Sequence, residues 1–421
     1  VRNAVVAIGA LHKSLRITSP AGQSANPDAV ESLAKLHSEY AYRTFGKALK
    51  KMQLAIDAGA GPRLALIACL LVVCFESHTG NRYKALVHAE HGLKIMQQCG
   101  SRSAQVEDEI ADAFKNLDIQ LATVGDRRTP ESHWRELDAS AFLVDEMPLS
   151  FATLQDAKHY WHIVMRRSTH FIATTWPRTQ SHSLVREFRT KVPGGVTTML
   201  GDTIHTTPFK VDECVRAEHD GFRLEIAHWL TAFEPLLQRI RRSGGDKHTL
   251  REYVVATMLQ VEALTAKITL EGVVFTQEIL YDQFHCDFKE IIRLAKDIVK
   301  VRHSQADADH FWAGSFLLDL GLNVPMFNLI LRCRDTVLRQ QAMEILKNWH
   351  CECWWDPLLI AAIGQFVIDV EEKGMVDGFI PESSRVILTA KCHCPPERFL
   401  LVQGVQKTET GLRWTEGFVR W

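Results

Sequence analysis

The 421-residue chain lacks any excess of charge: 49 basic residues stand against 50 acidic ones, a net charge of −1. Nucleic-acid binders carry a basic stripe or patch, and that balance leaves none to see in the totals. Long apolar runs are also missing. The longest, Leu64 to Phe75, has 12 residues, against about 20 needed to cross a bilayer, and it reads as a helix buried on all sides. No secretory signal stands at the start; Val1 already lies in a helical pattern, so the chain is expected to be cut from something longer. Paired CxxC halves are absent. The ten cysteines are scattered, several of them in apolar helical runs. A chain of this length needs no disulfide framework, which points to reduced thiols in the nucleus or cytosol.

What is there is helical spacing almost throughout. A segment over 28–57 closes at Gly59-Ala60-Gly61-Pro62, where the proline suits the first turn of the next helix. That helix stops at Thr79-Gly80. Further helices are expected near 81–98 and 105–122, and apolar stripes run through Phe284–Ile298, Leu338–Leu346 and Leu359–Val370. The fold class expected is all-α, an irregular array of antiparallel helical hairpins without a fixed repeat. Residues 123–150 and 173–210 are polar, with Pro, Thr, Ser or Gly, and read as long loops. This gives a helical half over 1–175, a loop-rich linker over 176–210 and a second helical half over 211–421. The stretch 384–403 carries a weak hairpin signal.

Candidate chemistry is sparse. Gly59-Ala60-Gly61 follows a helix and lacks the Gly-Lys-Ser/Thr of a phosphate loop, so it reads as helix punctuation. His350-Cys351-Glu352-Cys353 and Cys392-His393-Cys394 are the best metal candidates, but zinc usually takes CxxC or HxxxH pairs. Half-buried thiols are the simpler reading. The pairs His88/His91 and His159/His162 share helical faces with no HExxH-like carboxylate, and read as surface or satisfied histidines. Glu371-Glu372 falls at a helix end and reads as a solvated face. Arg239, Arg241 and Arg242 form a basic run at a helix C-terminus, where cations suit the helix dipole. No nucleophile, base and oxyanion stabiliser can be assembled. No catalytic, cofactor-binding or metal residue is therefore assigned, and the ligand residues stay unknown.

Short phrases along the chain carry a resemblance. Val6-Ala7-Ile8-Gly9-Ala10-Leu11-His12 and Phe45-Gly46-Lys47-Ala48-Leu49 come first. Then come Ala68–Glu76, Gly80-Asn81, Ala85–His88 and Gly92-Leu93, and Leu117-Asp118-Ile119-Gln120 with Gly125-Asp126. Later come Cys333-Arg334-Asp335 with Leu338-Arg339 and Ala342, Trp355-Asp356, Glu371-Glu372, Ile380-Pro381-Glu382 and Arg385-Val386. In this order they resemble the regulatory region of fungal zinc-cluster (Zn2Cys6) transcription factors. One departure is Cys351-Glu352-Cys353, where the family pattern has Arg-Glu-Gly before the Trp-Asp.

The resemblance implies a nuclear, all-α regulatory domain and no enzyme. Zinc is expected only in an upstream cluster lying outside this chain, and DNA contact only through that cluster. It also implies that a homodimer contact, transcriptional coregulators or a small-molecule effector are candidate partners, with no membrane. Two other classes stay open: a helical enzyme of fungal secondary metabolism, and a scaffold without effector.

Overall fold

The computed structural model describes residues 1–18, 27–99, 107–124, 128–179, 210–243, 247–305, 321–350, 352, 355–394 and 399–421. They are mainly helical, with one small three-stranded sheet, so the all-α expectation holds. The chain divides into two compact units, one over Val1–Leu121 and one running from Ala122 to the C-terminus, apart from Phe316–Asp319.

The first unit is built on α1 (Arg2–Thr18), α2 (Pro27–Asp57), α3 (Pro62–His78), α4 (Arg82–Cys99) and most of α5 (Asp108–Val124). Its best-packed layer joins α1, α2 and α3. Ala4, Ala7 and Leu11 face Ala41, Phe45, Ala48 and Met52, with Val72 and Phe75 closing the side. Alanines at helical spacing let backbones approach closely, and aromatic rings fill the rest. Phe45 and Phe75 lie stacked at 3.9 Å between ring centroids. The apolar run Leu64–Phe75 sits on α3 with none of its residues exposed. Gly59, at φ +90°, ends α2. Its amide donates to the Ile56 carbonyl and the Ala60 amide to the Ala55 carbonyl. Only glycine takes that left-handed turn without strain.

The second unit opens with α6 (Pro130–Asp145), which corrects the expected loop over 123–150. Thr129 caps it by accepting from the Ser132 amide, and Pro130 occupies the first turn. Those two residues are a helix start and not a break. Of α6 only His133, Leu137 and Ser140 are buried, with Trp134 and Val144 packed partly against the core and Phe142 exposed, so its apolar stripe is short. Helix α7 (Leu154–Thr179) runs on through residues 173–179, also expected as loop. The rest of the expected linker, 180–209, lies outside the described residues. Helices α8 (Glu213–Arg242) and α9 (Lys247–Gly272) complete a bundle. Its core stacks Trp161, Trp229 and Phe233 at 4.6–4.7 Å. Each indole N–H is satisfied, by Glu262 and by the Ala157 carbonyl.

The C-terminal part follows with a 3-10 turn over Glu278–Phe284, then α10 (His285–Gln305), α11 (Asn323–Arg332), α12 (Thr336–Lys347) and α13 (Pro357–Glu372). Asp335 and Asp356 cap α12 and α13, accepting from the amides of Leu338 and Leu358. The chain then forms β1 (Val386–Cys394), β2 (Phe399–Thr408) and β3 (Gly411–Arg420), an antiparallel meander with a bulge between Leu388 and Ala390. The expected hairpin over 384–403 is thus the first part of a sheet that continues to Arg420. Among the described residues, no helix is long and apolar enough to cross a membrane.

Candidate functional site

The largest concentration of buried charge lies in the C-terminal part of the second unit. Five segments supply it. The 3-10 turn brings Glu278, Tyr281 and Asp282. The end of α11 and the link to α12 bring Arg332, Cys333 and Arg334. Helix α12 brings Arg339, the end of α13 brings Glu371, and the strand entry brings Glu382 and Arg385.

The bonding is dense. Glu278 receives Arg332, and Arg334 at 3.0 Å. Glu371 receives Arg334 at 2.9 Å, Arg339 at 2.5 Å and the Val386 amide at 2.7 Å. Asp282 takes both terminal nitrogens of Arg385 at 2.7 Å. Glu382 accepts from the backbone amides of Glu278 and Ile279 at 3.0 and 2.7 Å. Burial alone would raise the Glu371 carboxyl; Arg334 and Arg339 outweigh it and hold the group below the usual carboxylate range. Burial pushes the Tyr281 hydroxyl up to about 12, and Arg332 lies 4.7 Å over its ring.

The expected solvated face at Glu371-Glu372 is therefore corrected. Glu371 is fully buried, while Glu372 is half-buried. Arginines brought from other segments supply the charge that lets a carboxylate leave water. Three of the phrases behind the resemblance meet here: Cys333-Arg334-Asp335, Glu371-Glu372 and Ile380 to Val386. Glu278 and Asp282, which complete the cluster, carry no local signal. They lie in a short turn, and their partners are 54 to 107 residues away.

Beside the cluster opens a cleft of about 190 Å³. Arg334 and Arg385 contribute to its lining, with apolar surface from Phe288, Cys333, Phe379 and Ile380. His285 and Asp335 form a further pair at 3.0 Å on its wall. The Nε of Arg334 is buried with no hydrogen-bond partner, and so are Nε and Nη1 of Arg339 behind it.

The metal candidates are divided. Glu352, between two cysteines in sequence, turns inward. It accepts from the Trp349 indole and from the amides of Gly321 and Asn323, at the start of α11. That is a carboxyl group at a helix N-terminus, and burial pushes it up to about 8. Burial, with Arg302 alongside, pushes the neighbouring His350 ring down to about 3. Cys351 and Cys353 lie outside the described residues, as do the side chains of Cys392, His393 and Cys394, whose backbone runs in β1. Among the described residues no group of three or more His, Cys, Asp or Glu is placed to hold a metal ion.

The other sequence candidates fall on helices. His88 and His91 touch edge to face on α4, and His159 lies against Tyr160 on α7. Arg239, Arg241 and Arg242 form the last turn of α8; Arg239 donates to the Ala152 carbonyl and Arg241 to Gln260. A pair that the sequence did not single out is His133 with His170, buried and 2.7 Å apart through their Nδ1 atoms. That contact needs one ring to donate and the other to accept.

Residues 1–117 match the family model of the fungal specific transcription factor domain. No curated protein and no solved structure gives a match. The matched segment stops four residues short of the end of the first unit at Leu121, so the first unit is the part of the chain that is similar to that domain.

Proposed function

We propose that the chain is a regulatory and interaction region of a fungal transcription factor and not an enzyme. The single observation that carries this reading is the family match over residues 1–117, the span of the helical first unit. In this reading the chain works in the nucleus and controls a zinc-cluster module supplied upstream. Its means are contacts with a second copy, with coregulators or with an effector. The near-zero net charge supports a division of labour in which this region does not itself grip phosphates. The mainly helical architecture, with a stiff charged cluster beside a cleft, suits a domain that presents surfaces and not one that turns over substrate.

The experiment has two arms. Fused to an unrelated DNA-binding domain at a reporter, the chain should change transcription, and a point variant that unfolds the first unit should cancel the change. In an anisotropy titration at physiological salt, the chain alone should bind duplex DNA weakly and without sequence preference. A well-expressed, folded fusion that leaves the reporter unmoved would overturn the regulatory reading. Tight sequence-selective binding by the chain alone would overturn the division of labour.

A further inference from the structure

The sheet has two outer edges, and they differ. Strand β1 is interrupted by the bulge between Leu388 and Ala390, a device that turns an edge away from an added strand. Strand β3 pairs with β2 in unbroken register, from Gly411 on Thr408 to Arg420 on Phe399. Among the described residues no strand lies on its other side. Edges are commonly guarded by a bulge, a proline or lysines, and β3 has none of the three. One face of β3 is covered, since a Cβ at Gly417 would meet the Phe366 ring of α13 at 2.5 Å. On the opposite face Leu412, Trp414 and Phe418 are exposed, Phe418 to 68%.

The backbone of that edge has bonds to offer. A hairpin closed over two residues ends on a pair that exchanges backbone bonds, and such pairs alternate along the ladder. Thr408 faces Gly411 across Glu409-Thr410, so the odd-numbered residues of β3 spend their amides on β2. The even-numbered residues turn theirs outward, where an added strand would take them. The outward face also carries charge of both signs. Glu416 and Arg420 are exposed. Among the described residues, the Glu416 carboxylate accepts only from the Gln403 side-chain amide at 3.0 Å, and the Arg420 guanidinium has no partner.

We infer that β3 is an interface for a second copy of this chain, the two β3 strands pairing antiparallel about a two-fold axis at Phe418 to make one continuous sheet. Such an axis sets residues of one face against residues of the same face. An axis at Trp414, Thr415 or Gly417 would leave Glu416 opposite an apolar side chain, and an axis at Glu416 would set it against its own copy. With the axis at Phe418 the two phenyl rings meet, and each Glu416 faces Arg420 of the partner subunit. Symmetry makes that ion pair twice. Cross-strand aromatic and opposite-charge pairs are the contacts that fix a register. The interface rests on β3 alone. That the pairing serves transcription rests on the function proposed above, in which a second copy is one of the contacts.

The test is sedimentation velocity of the whole chain over about 1–100 µM, the range suited to a small strand-to-strand interface. The sedimentation coefficient should climb from monomer to dimer. Glu416→Arg sets like charges opposite each other at both ends of the pairing and should weaken the dimer about tenfold or more. Arg420→Glu should do the same. The double variant Glu416→Arg/Arg420→Glu restores both ion pairs with their signs exchanged, and should dimerise like the parent. Phe418→Pro removes an outward amide that β2 does not use and should abolish the dimer with an unchanged circular dichroism spectrum. A monomer at every concentration, a dimer indifferent to Glu416→Arg or to Phe418→Pro, or a double variant no better than either single one would each overturn the inference. A monomer that still moves the reporter would sink this interface and leave the regulatory reading standing; a dimer that leaves the reporter unmoved would do the reverse.

Discussion

The α1–α3 layer and the C-terminal charge cluster solve the same problem by opposite means. In residues 1–99 the only buried polar or charged side chain among the described residues is Ser14, whose hydroxyl donates to the Ala34 carbonyl at 2.7 Å. Everything else buried there is alanine, aliphatic, aromatic or one of the sulfur-bearing pair Met52 and Cys69. The C-terminal part instead buries at least four arginines and two glutamates around a common centre. An apolar layer gains from area removed from water and tolerates small shifts. A buried ionic centre gains little net energy, but it penalises any arrangement that leaves one member unpaired. The first region is thus held by amount, and the second by completeness.

The sharpest way to break this contrast is to remove one member from each centre. Glu371→Ala strands Arg339 and the Val386 amide and leaves Arg334 with Glu278 as its one carboxylate, and should cost about 3–5 kcal/mol in denaturant unfolding. Phe45→Ala in the apolar layer should cost about the same, 3–5 kcal/mol, but its cost should not change with pH. A loss from Glu371→Ala below about 1 kcal/mol would show that the cluster relaxes around missing charge.

Acid should separate the regions next. The Glu371 carboxyl is depressed in the folded chain, so its contribution is complete above the ordinary carboxylate range. It is lost as pH falls through the folded value. The first of the ten tryptophans is Trp134, so indole fluorescence reports on the second unit alone, while far-ultraviolet circular dichroism reports on both. On acidification the fluorescence should change before the helical signal of the first unit is lost. Simultaneous loss would mean that the two regions unfold together.

Smaller effects refine the C-terminal picture. A Cβ at Gly364 would sit 2.7 Å from Ile330 Cγ2, so Gly364→Ala should cost about 1–3 kcal/mol through overpacking. Asp356→Ala removes the α13 cap and the carboxylate that holds the Trp421 indole. It should cost about 1 kcal/mol, with the Trp421 contribution to fluorescence shifted. A stabilised Gly364→Ala would mean that α11 and α13 are less closely apposed than described.

Much of this was readable from residue order, because helices announce themselves locally. Gly59 to Pro62 and Thr79-Gly80 mark the ends of α2 and α3 through backbone preferences that operate within four residues. The same locality misled at α6. Thr129-Pro130 is a start signal that resembles a break when the following helix buries only a short stripe that includes His133 and Ser140. It failed again at Glu371, whose burial depends on arginines 32 and 37 residues upstream. The strand β3 has three exposed large apolar residues, Leu412, Trp414 and Phe418, so its alternation is blurred and only the first part of the sheet was expected. The cleft had no sequence signal, since Phe288, Arg334 and Phe379 meet only after folding.

One consequence concerns time. Arg385 donates to the Glu278 carbonyl across 107 residues of chain. A ribosome adding about 5–20 residues per second would make Glu278 wait about 5–20 seconds before Arg385 exists. From about halfway through that interval Glu278 has Arg332 and Arg334 in reach, yet the strand entry that seals the cluster is still unmade. Among the described residues, the α1–α3 apolar layer draws on nothing later than Phe75 and can settle on the ribosome. Synonymous changes that slow elongation between 279 and 385 should therefore leave the α1–α3 layer unaltered and lengthen the exposure of the arginine-rich half to chaperones and proteases.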